Sequence, residues 1–359
     1  MSGDIERRKG EHLTLAAGEG VETATPAGWD DVHLVHDALP AVDASAIDLS
    51  ATFLGRELRL PLLISGMTGG HERARGVNQV LASAAERSGV AFGLGSQRAA
   101  LRDRSLIPTY TIARDSAPTS FIIANVGISQ LVPQDGETAL SLADVREIID
   151  MVRADALAVH LNYLEESVQP EGQTRAAGAF EALTRICGAS PVPVVAKETG
   201  AGITREVAQR LRIAGIRAID VGGLGGTSFA ALEARRADMR GDEARTRLGV
   251  RFTEWGVPTA VAVAGCVVTG LPVIATGGVR SGLDAAKALA LGASIVGVAR
   301  PLLRAALEGE AAVLAWIDRF ALELRTATFL SGQRRARDLH KAERVVTGRT
   351  HDWLVQLRY

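Results

Sequence analysis

The stretch PVPVVAKETGAGITREVAQRLRIAGIRAIDVGGLGGTS, residues 191–228, decides the fold. It opens on a short apolar run, VPVVAKE (192–198), of the length and character of a buried strand. The next segment, TREVAQRLRIAGI (204–216), spaces its apolar residues three and four apart and carries glycine near its end. That pattern predicts an amphipathic helix that stops there. A second apolar run, AIDVGG (218–223), follows and breaks off in glycines.

The alternation extends along the chain. LPLLISG (60–66), VAFGLG (90–95), SFIIANVG (120–127), ALAVHLN (156–162), PVIATGG (272–278) and SIVGVA (294–299) bring the buried runs to eight. Segments such as ARGVNQVLASAAERSG, LADVREIIDMVRA and LDAAKALALGA, lying between them, have helical spacing. Eight strand–helix alternations predict an α/β protein built as a closed (β/α)8 TIM barrel. The alternative is a doubly wound open sheet, but no GxGxxG follows the first strand to support it. Residues up to about 50 and from about 308 to 359 are then an N-terminal extension and a C-terminal helical tail, within a single domain spanning 1–359. The charged segment ARRADMRGDEARTRLG (234–249) reads either as a mobile lid after the sixth strand or as a solvated helix.

Composition agrees with one large α/β domain: 47% hydrophobic residues, 38 glycines for tight turns, and only 4% aromatics. The net charge of −1 supplies no global field for nucleic acid or an anionic membrane, so an anionic substrate needs local arginine and lysine clusters. Cys187 and Cys266 have neither metal-ligand nor redox spacing and read as small buried hydrophobes. The N-terminus mixes charges of both signs and has no apolar core, unlike a signal peptide. The uncharged run Trp255–Val279 is broken by Pro258, Pro272 and glycines, and reads as a helix plus a strand. The expectation is a soluble cytoplasmic protein without membrane insertion or a nucleic-acid partner.

Barrel enzymes place their chemistry at the C-terminal ends of strands. Here those ends read SGMTGG, GLGSQR, NVG, HLN, KE, GGLGGTS, TGGVRSG and VAR, each polar or glycine-rich. TGGVRSG (276–282) and the VAR after the eighth strand suit a phosphate, because Gly277 and Gly278 carry no Cβ to hold an anion away from backbone N–H groups. Thr227 and Ser228 are candidate donors to the same phosphate. Lys197 ends an apolar strand, where a charge is costly unless it meets a ligand, a salt-bridge partner or a Schiff-base substrate. A phosphate clamp on such a barrel, without a catalytic thiol, fits flavin mononucleotide (FMN). Met67, Thr68 and Gly69 would then line the flavin ring edge, and Asn125 would bond the ring or its ribityl chain.

The motifs RRKGEH, MTGG, GSQR, HLN followed by EESVQPEG, KETGAG, GGLGGTSF, TGGVRSGLDAAKALALGA and FLSGQ occur in one order along the chain. In these the sequence resembles the type 2, FMN-dependent isopentenyl-diphosphate delta-isomerases over essentially its whole length. The resemblance implies isomerisation of isopentenyl to dimethylallyl diphosphate on reduced FMN with Mg²⁺, with NADPH or another donor keeping the flavin reduced. It also implies a homotetramer or homo-octamer. Carried residue by residue, it assigns the prenyl diphosphate to Arg8, Lys9, His12, Ser96, Arg98, His160 and Asn162. It assigns FMN to Thr68, Ser96, Asn125, Lys197, Thr227, Gly277, Arg280, Ala299 and neighbouring Arg300, and Mg²⁺ to Glu166. His160 and Glu165 are the candidates for the chemistry itself. A hydroxy-acid oxidase would share the barrel and clamp, yet needs a catalytic His–Arg pair that this sequence does not show.

The family usually reads His-Leu-Asn-Pro-Leu-Gln-Glu where this chain reads His160-Leu161-Asn162-Tyr163-Leu164-Glu165-Glu166. Leu224 likewise stands where relatives tend to carry a polar or basic residue. Glutamine can only relay or orient a proton, whereas Glu165 is a Brønsted acid with a reference pKa of about 4.3. Burial and Glu166 would raise that value, and a nearby Mg²⁺ would lower it. Two enzymes remain open: an isomerase that tolerates glutamate here, or a relative that protonates and cyclises or rearranges a longer prenyl diphosphate. In the second, Glu165 is the acid and Tyr163 reshapes the pocket. A flavin-binding protein without catalysis is the third reading.

Overall fold

A computed structural model describes residues 2–359, with side chains described from Gly10 onward. Eight parallel strands close into a barrel: β1 (Leu62–Ile64), β2 (Ala91–Gly93), β3 (Ile122–Gly127), β4 (Ala156–Leu161), β5 (Val194–Glu198), β6 (Ala218–Asp220), β7 (Val273–Thr276) and β8 (Ile295–Val298). Strands β8 and β1 complete the ring, with Val296, Gly297 and Val298 opposite Leu62, Leu63 and Ile64. Closure excludes the open-sheet alternative. Each strand lies inside one of the eight apolar runs. All eight are shorter than their run because residues at the run ends leave the sheet to build loops.

Strand side chains alternate between faces. Leu62 and Ile64 pack among the surrounding helices, while Leu63 joins Ile123, Ala158, Val195 and Ile274 in a separate apolar cluster inside the barrel. Two residues further along the same inner faces come Asn125, His160 and Lys197. On β6, Asp220 follows Ala218 in the same way. The interior thus changes from apolar to polar at one level. An antiparallel hairpin, Ala51–Phe53 with Arg56–Leu58, adds Ala51, Phe53 and Leu58 to the apolar cluster, and Phe53 meets Phe121 edge-on at 5.8 Å.

The helix expected over 204–216 spans Arg205–Ile213, begins at a Thr204 cap that accepts from Val207 N, and buries Ala208 and Leu211. The run 255–279 holds a helix, Thr259–Val267, and β7. No helix among the described residues is long and apolar enough to cross a membrane. Neither cysteine is in a disulfide, and burial pushes the Cys187 and Cys266 thiols up to about 11 and about 12.

Two expectations change. The charged segment 234–249 spans two helices, Phe229–Asp238 and Glu243–Phe252, that pack on each other. The first part is interior, with the Arg236 side chain fully buried, while residues 238–241 and most of the second helix are solvated, as one alternative had it. The C-terminal tail is not wholly helical. Beside helices Glu310–Leu330 and Gly348–Leu357 it contains the strand Arg344–Val346, which pairs antiparallel with Val32–Leu34 of the N-terminal extension.

Candidate active site

The C-terminal strand ends enclose a cavity of about 260 Å³. Of the candidate site residues from Gly10 onward, all but Ser228 border it: His12, Met67, Thr68, Gly69, Ser96, Arg98, Asn125, His160, Asn162, Glu165, Glu166, Lys197, Thr227, Gly277, Gly278, Arg280, Ala299 and Arg300. Arg8 and Lys9 lie outside the residues whose side chains are described. Ser228 is a correction. Its hydroxyl caps helix Phe229–Asp238 by accepting from Ala231 N and donates to Thr253 O, and it does not border the cavity. Tyr163 does not border it either; its ring packs against the core. Leu224 is buried in the glycine loop, away from the cavity.

At one end of the cavity, the loops after β6 and β7 pack back to back. Gly278 has φ +65°, and a Cβ there would lie 2.3 Å from Gly225 O, so only glycine allows this approach. Beside these loops Arg280 and Arg300 share one carboxylate, Glu22, at 3.1 and 2.9 Å. Partial burial would raise the Glu22 pKa, but the two guanidinium groups hold it below the ordinary carboxylate range. Arg300 also donates to Ala16 O (2.9 Å) and to Gly18 O, tying the end of the N-terminal helix Ser2–Ala17 to this corner.

After β4 the chain turns into the short helix Tyr163–Val168, and this separates the two adjacent glutamates. Asn162 Nδ2 reaches both, at 3.1 Å from Glu165 Oε2 and 3.1 Å from Glu166 Oε1. Glu166 is buried and fixed, its Oε2 accepting from Gln173 N at 2.7 Å. The QPEG segment folds tightly beneath it: a Cβ on Gly172 would lie 1.7 Å from Glu166 O. Glu165 belongs to a different cluster, whose ligand atoms, with those of His12 and Glu233, lie within 4.8 Å of one another. Glu233 bonds His12 Nε2 at 2.6 Å and Arg236 Nη1 at 2.5 Å. Arg236 also meets Glu11 and Glu171, at 3.0 and 2.9 Å. Burial opposes the Arg236 charge, but Glu233, Glu171 and Glu11 more than compensate and raise its pKa.

Arg98 is held by Glu137 and by Gln173 Oε1 (3.0 Å). Partial burial would raise the Glu137 pKa, yet Arg102 and Arg98 keep it below the ordinary range. Asn125 donates to Leu94 O at 2.9 Å, which orients its amide so that Oδ1 faces His160 Nδ1 at 2.7 Å. His160 therefore carries a hydrogen on Nδ1. Lys197 forms the salt bridge that was one of its alternatives, with Asp220 Oδ2 at 3.0 Å, while still bordering the cavity.

The FMN-dependent dehydrogenase family matches residues 143–346. The isopentenyl-diphosphate delta-isomerase of Methanoregula boonei is 46% identical over 349 residues, covering 97% of this chain and 95% of its own. Those of Methanothermobacter thermautotrophicus and Halobacterium salinarum are 46% and 44% identical, over 98% and 99% of this chain and 96% and 97% of theirs. This chain belongs to the FMN-dependent isopentenyl-diphosphate delta-isomerase family.

Among solved structures, this isomerase-family chain is similar to a mandelate oxidase variant carrying an FMN adduct (TM-score 0.62, 21% identity, 96% of this chain and 100% of the other). It is also similar to a lactate oxidase of Pediococcus acidilactici (TM-score 0.64, 16% identity, 97% and 94%). These likenesses concern the barrel. Around this cavity, sequence reasoning missed Glu22, Glu137, Glu233, Arg236 and Asp220, each a charge partner of a candidate residue or the next link in its network. For Asp220 a signal existed: like Lys197, it is a charge at the end of an apolar run.

Proposed function

We propose that the cavity holds reduced FMN and Mg²⁺ and isomerises isopentenyl diphosphate to dimethylallyl diphosphate. One observation carries this reading: residues from all eight strand ends meet in one cavity, with a glycine cradle at one side and Arg98, His160 and Asn162 at another. The wall suits FMN. Ser65 Oγ and Thr276 Oγ1 border it, buried and without a hydrogen-bond partner, and the glycine loops leave backbone accessible to a phosphate. Met67, Thr68, Gly69, Asn125, Lys197, Thr227, Gly277, Gly278, Arg280, Ala299 and Arg300 would hold the cofactor. Bound reduced flavin supplies an electron-rich face and a proton donor for a reaction without net redox change.

The opposite side suits a hard cation on a diphosphate. Glu166 and the unpartnered Asn162 Oδ1 offer oxygen ligands, and Mg²⁺ takes one or two such groups with substrate phosphates completing its shell. Arg8, Lys9, His12, Ser96, Arg98, His160 and Asn162 neutralise and orient the diphosphate. Glu165, bordering the cavity beside His12 and Glu233, is positioned to hold a proton at Oε1 or Oε2. Tyr163 does not border the cavity, which favours isomerisation over a cyclisation that needs Tyr163 to reshape the pocket. We also infer that NADPH or another external donor reduces the flavin and that the chain assembles as a homotetramer or homo-octamer.

The test is a substrate panel with protein, reduced FMN and Mg²⁺. Dimethylallyl diphosphate from isopentenyl diphosphate is the expected product. No turnover there, with a cyclic product from geranyl or geranylgeranyl diphosphate, would replace isomerisation by cyclisation. FMN binding without affinity for any prenyl diphosphate would remove catalysis altogether.

A further inference from the structure

Below the cavity lies a buried acid to which the proposed function gives no role. Asp220 ends β6 and stands opposite Lys197 of β5 in the strand register. It is 1% exposed and borders a small internal void shared with Leu63, Ile123, Val195 and Ile274. Lys197 borders both this void and the main cavity, so one side chain links the acid to the wall of the cavity. Its Nζ donates to Asp220 Oδ2 at 3.0 Å and to Glu198 O at 3.3 Å. Asp220 Oδ1 is buried with no hydrogen-bond partner.

Such an arrangement is a poor way to stabilise a barrel. Two charges leave water, and one carboxylate oxygen is not compensated. An apolar pair of similar volume would serve packing as well or better. What the pair achieves is electrical: the cavity floor presents a donor of fixed direction with its positive charge largely cancelled.

Resting on the reading that this cavity binds FMN, we propose that Asp220 is a positioning and charge-balancing residue. It fixes the Lys197 ammonium and sets how strongly the protein prefers reduced over oxidised flavin. A lone cation beside the ring favours the electron-rich reduced form, a lone carboxylate disfavours it, and the pair leaves the preference balanced.

The experiment measures Kd for oxidised FMN and, under anaerobic dithionite, for reduced FMN in four proteins: the parent, Asp220→Asn, Lys197→Met and the double variant. Asp220→Asn is expected to move the affinity ratio at least tenfold toward reduced FMN, about 30 mV in a two-electron potential. Lys197→Met is expected to move it at least tenfold the other way, and the double variant to return within threefold of the parent. A merely structural role does not produce opposite shifts that cancel. Ratios within twofold of the parent in both single variants, or shifts of the same sign, overturn the proposal. If one single variant fails to fold, the other and the double variant decide it by the same criterion. A parent that binds neither form of FMN overturns the flavin reading and this inference with it.

Discussion

Replacing Arg236 by methionine removes the centre of the charge network over the barrel mouth. Its guanidinium meets three carboxylates, and their exposure decides what each is worth. Glu11 and Glu171 have 22% and 39% exposed side chains, so solvent screens them and each contact contributes about 0–1 kcal/mol. The contact with Glu233 is dry, both side chains being 0% exposed. Arg236→Met strands that carboxylate with His12 as its remaining partner in the network. Removing one member of a buried pair costs about 3–5 kcal/mol. That is a large share of the roughly 5–15 kcal/mol by which domains are stable. Denaturant unfolding at pH 7 is the assay, with Arg236→Met/Glu233→Leu as the control. Removing both charges should recover at least half of the lost stability, but should not restore the placement of His12. A loss below about 1 kcal/mol for Arg236→Met, or no recovery in the double variant, would refute the claim that the buried Glu233 contact dominates.

Three further outcomes are expected. Glu198 accepts from Gly200, Ala201 and Gly202 on one oxygen, yet burial outweighs these bonds and pushes its pKa from the ordinary 4.5 up to about 7. The folded state therefore holds this proton more tightly than the unfolded chain. The stabilisation is complete below about pH 4.5 and is lost as pH rises to about 7, amounting to about 3 kcal/mol. Unfolding curves of the parent minus those of Glu198→Gln should show that slope between pH 5 and 7 and level off above. Gly278→Ala adds left-handed strain of about 1–2 kcal/mol to the contact with Gly225 O, and should weaken FMN binding at least tenfold in a flavin absorbance titration. Glu22→Gln leaves Arg280 and Arg300 without their shared anion. FMN affinity should rise about two- to fivefold, a modest gain because the site is partly exposed. Weaker binding would mean that Glu22 positions the arginines and does not compete with a phosphate.

The barrel was legible because a strand buried on both faces must be continuously apolar, and its loop end must then change composition abruptly. The run ALAVHLN shows both: Ala158 belongs to the apolar interior, and His160 and Asn162 reach the cavity. The hairpin Ala51–Leu58 escaped notice because its strands are three residues each and carry exposed Thr52, Arg56 and Glu57 beside Phe53. Charge partners were the harder problem. Glu233 and Arg236 sit in FAALEARRAD, which has the composition of a solvated helix, and only docking against His12, Glu11 and Glu171 makes them interior. Those pairings join residues 221, 225 and 65 positions apart, and no local pattern marks them.

The two-stranded stitch between Val32–Leu34 and Arg344–Val346 also sets a timetable. His33 and Thr347, 314 residues apart, meet only after almost the whole chain has been made. At synthesis rates of about 5–20 residues per second, the first strand waits roughly 15–60 s for its partner. During that interval its edge is open to pairing with another chain. Co-translational chaperones would therefore find their work on this protein at its earliest strand, well before the barrel closes.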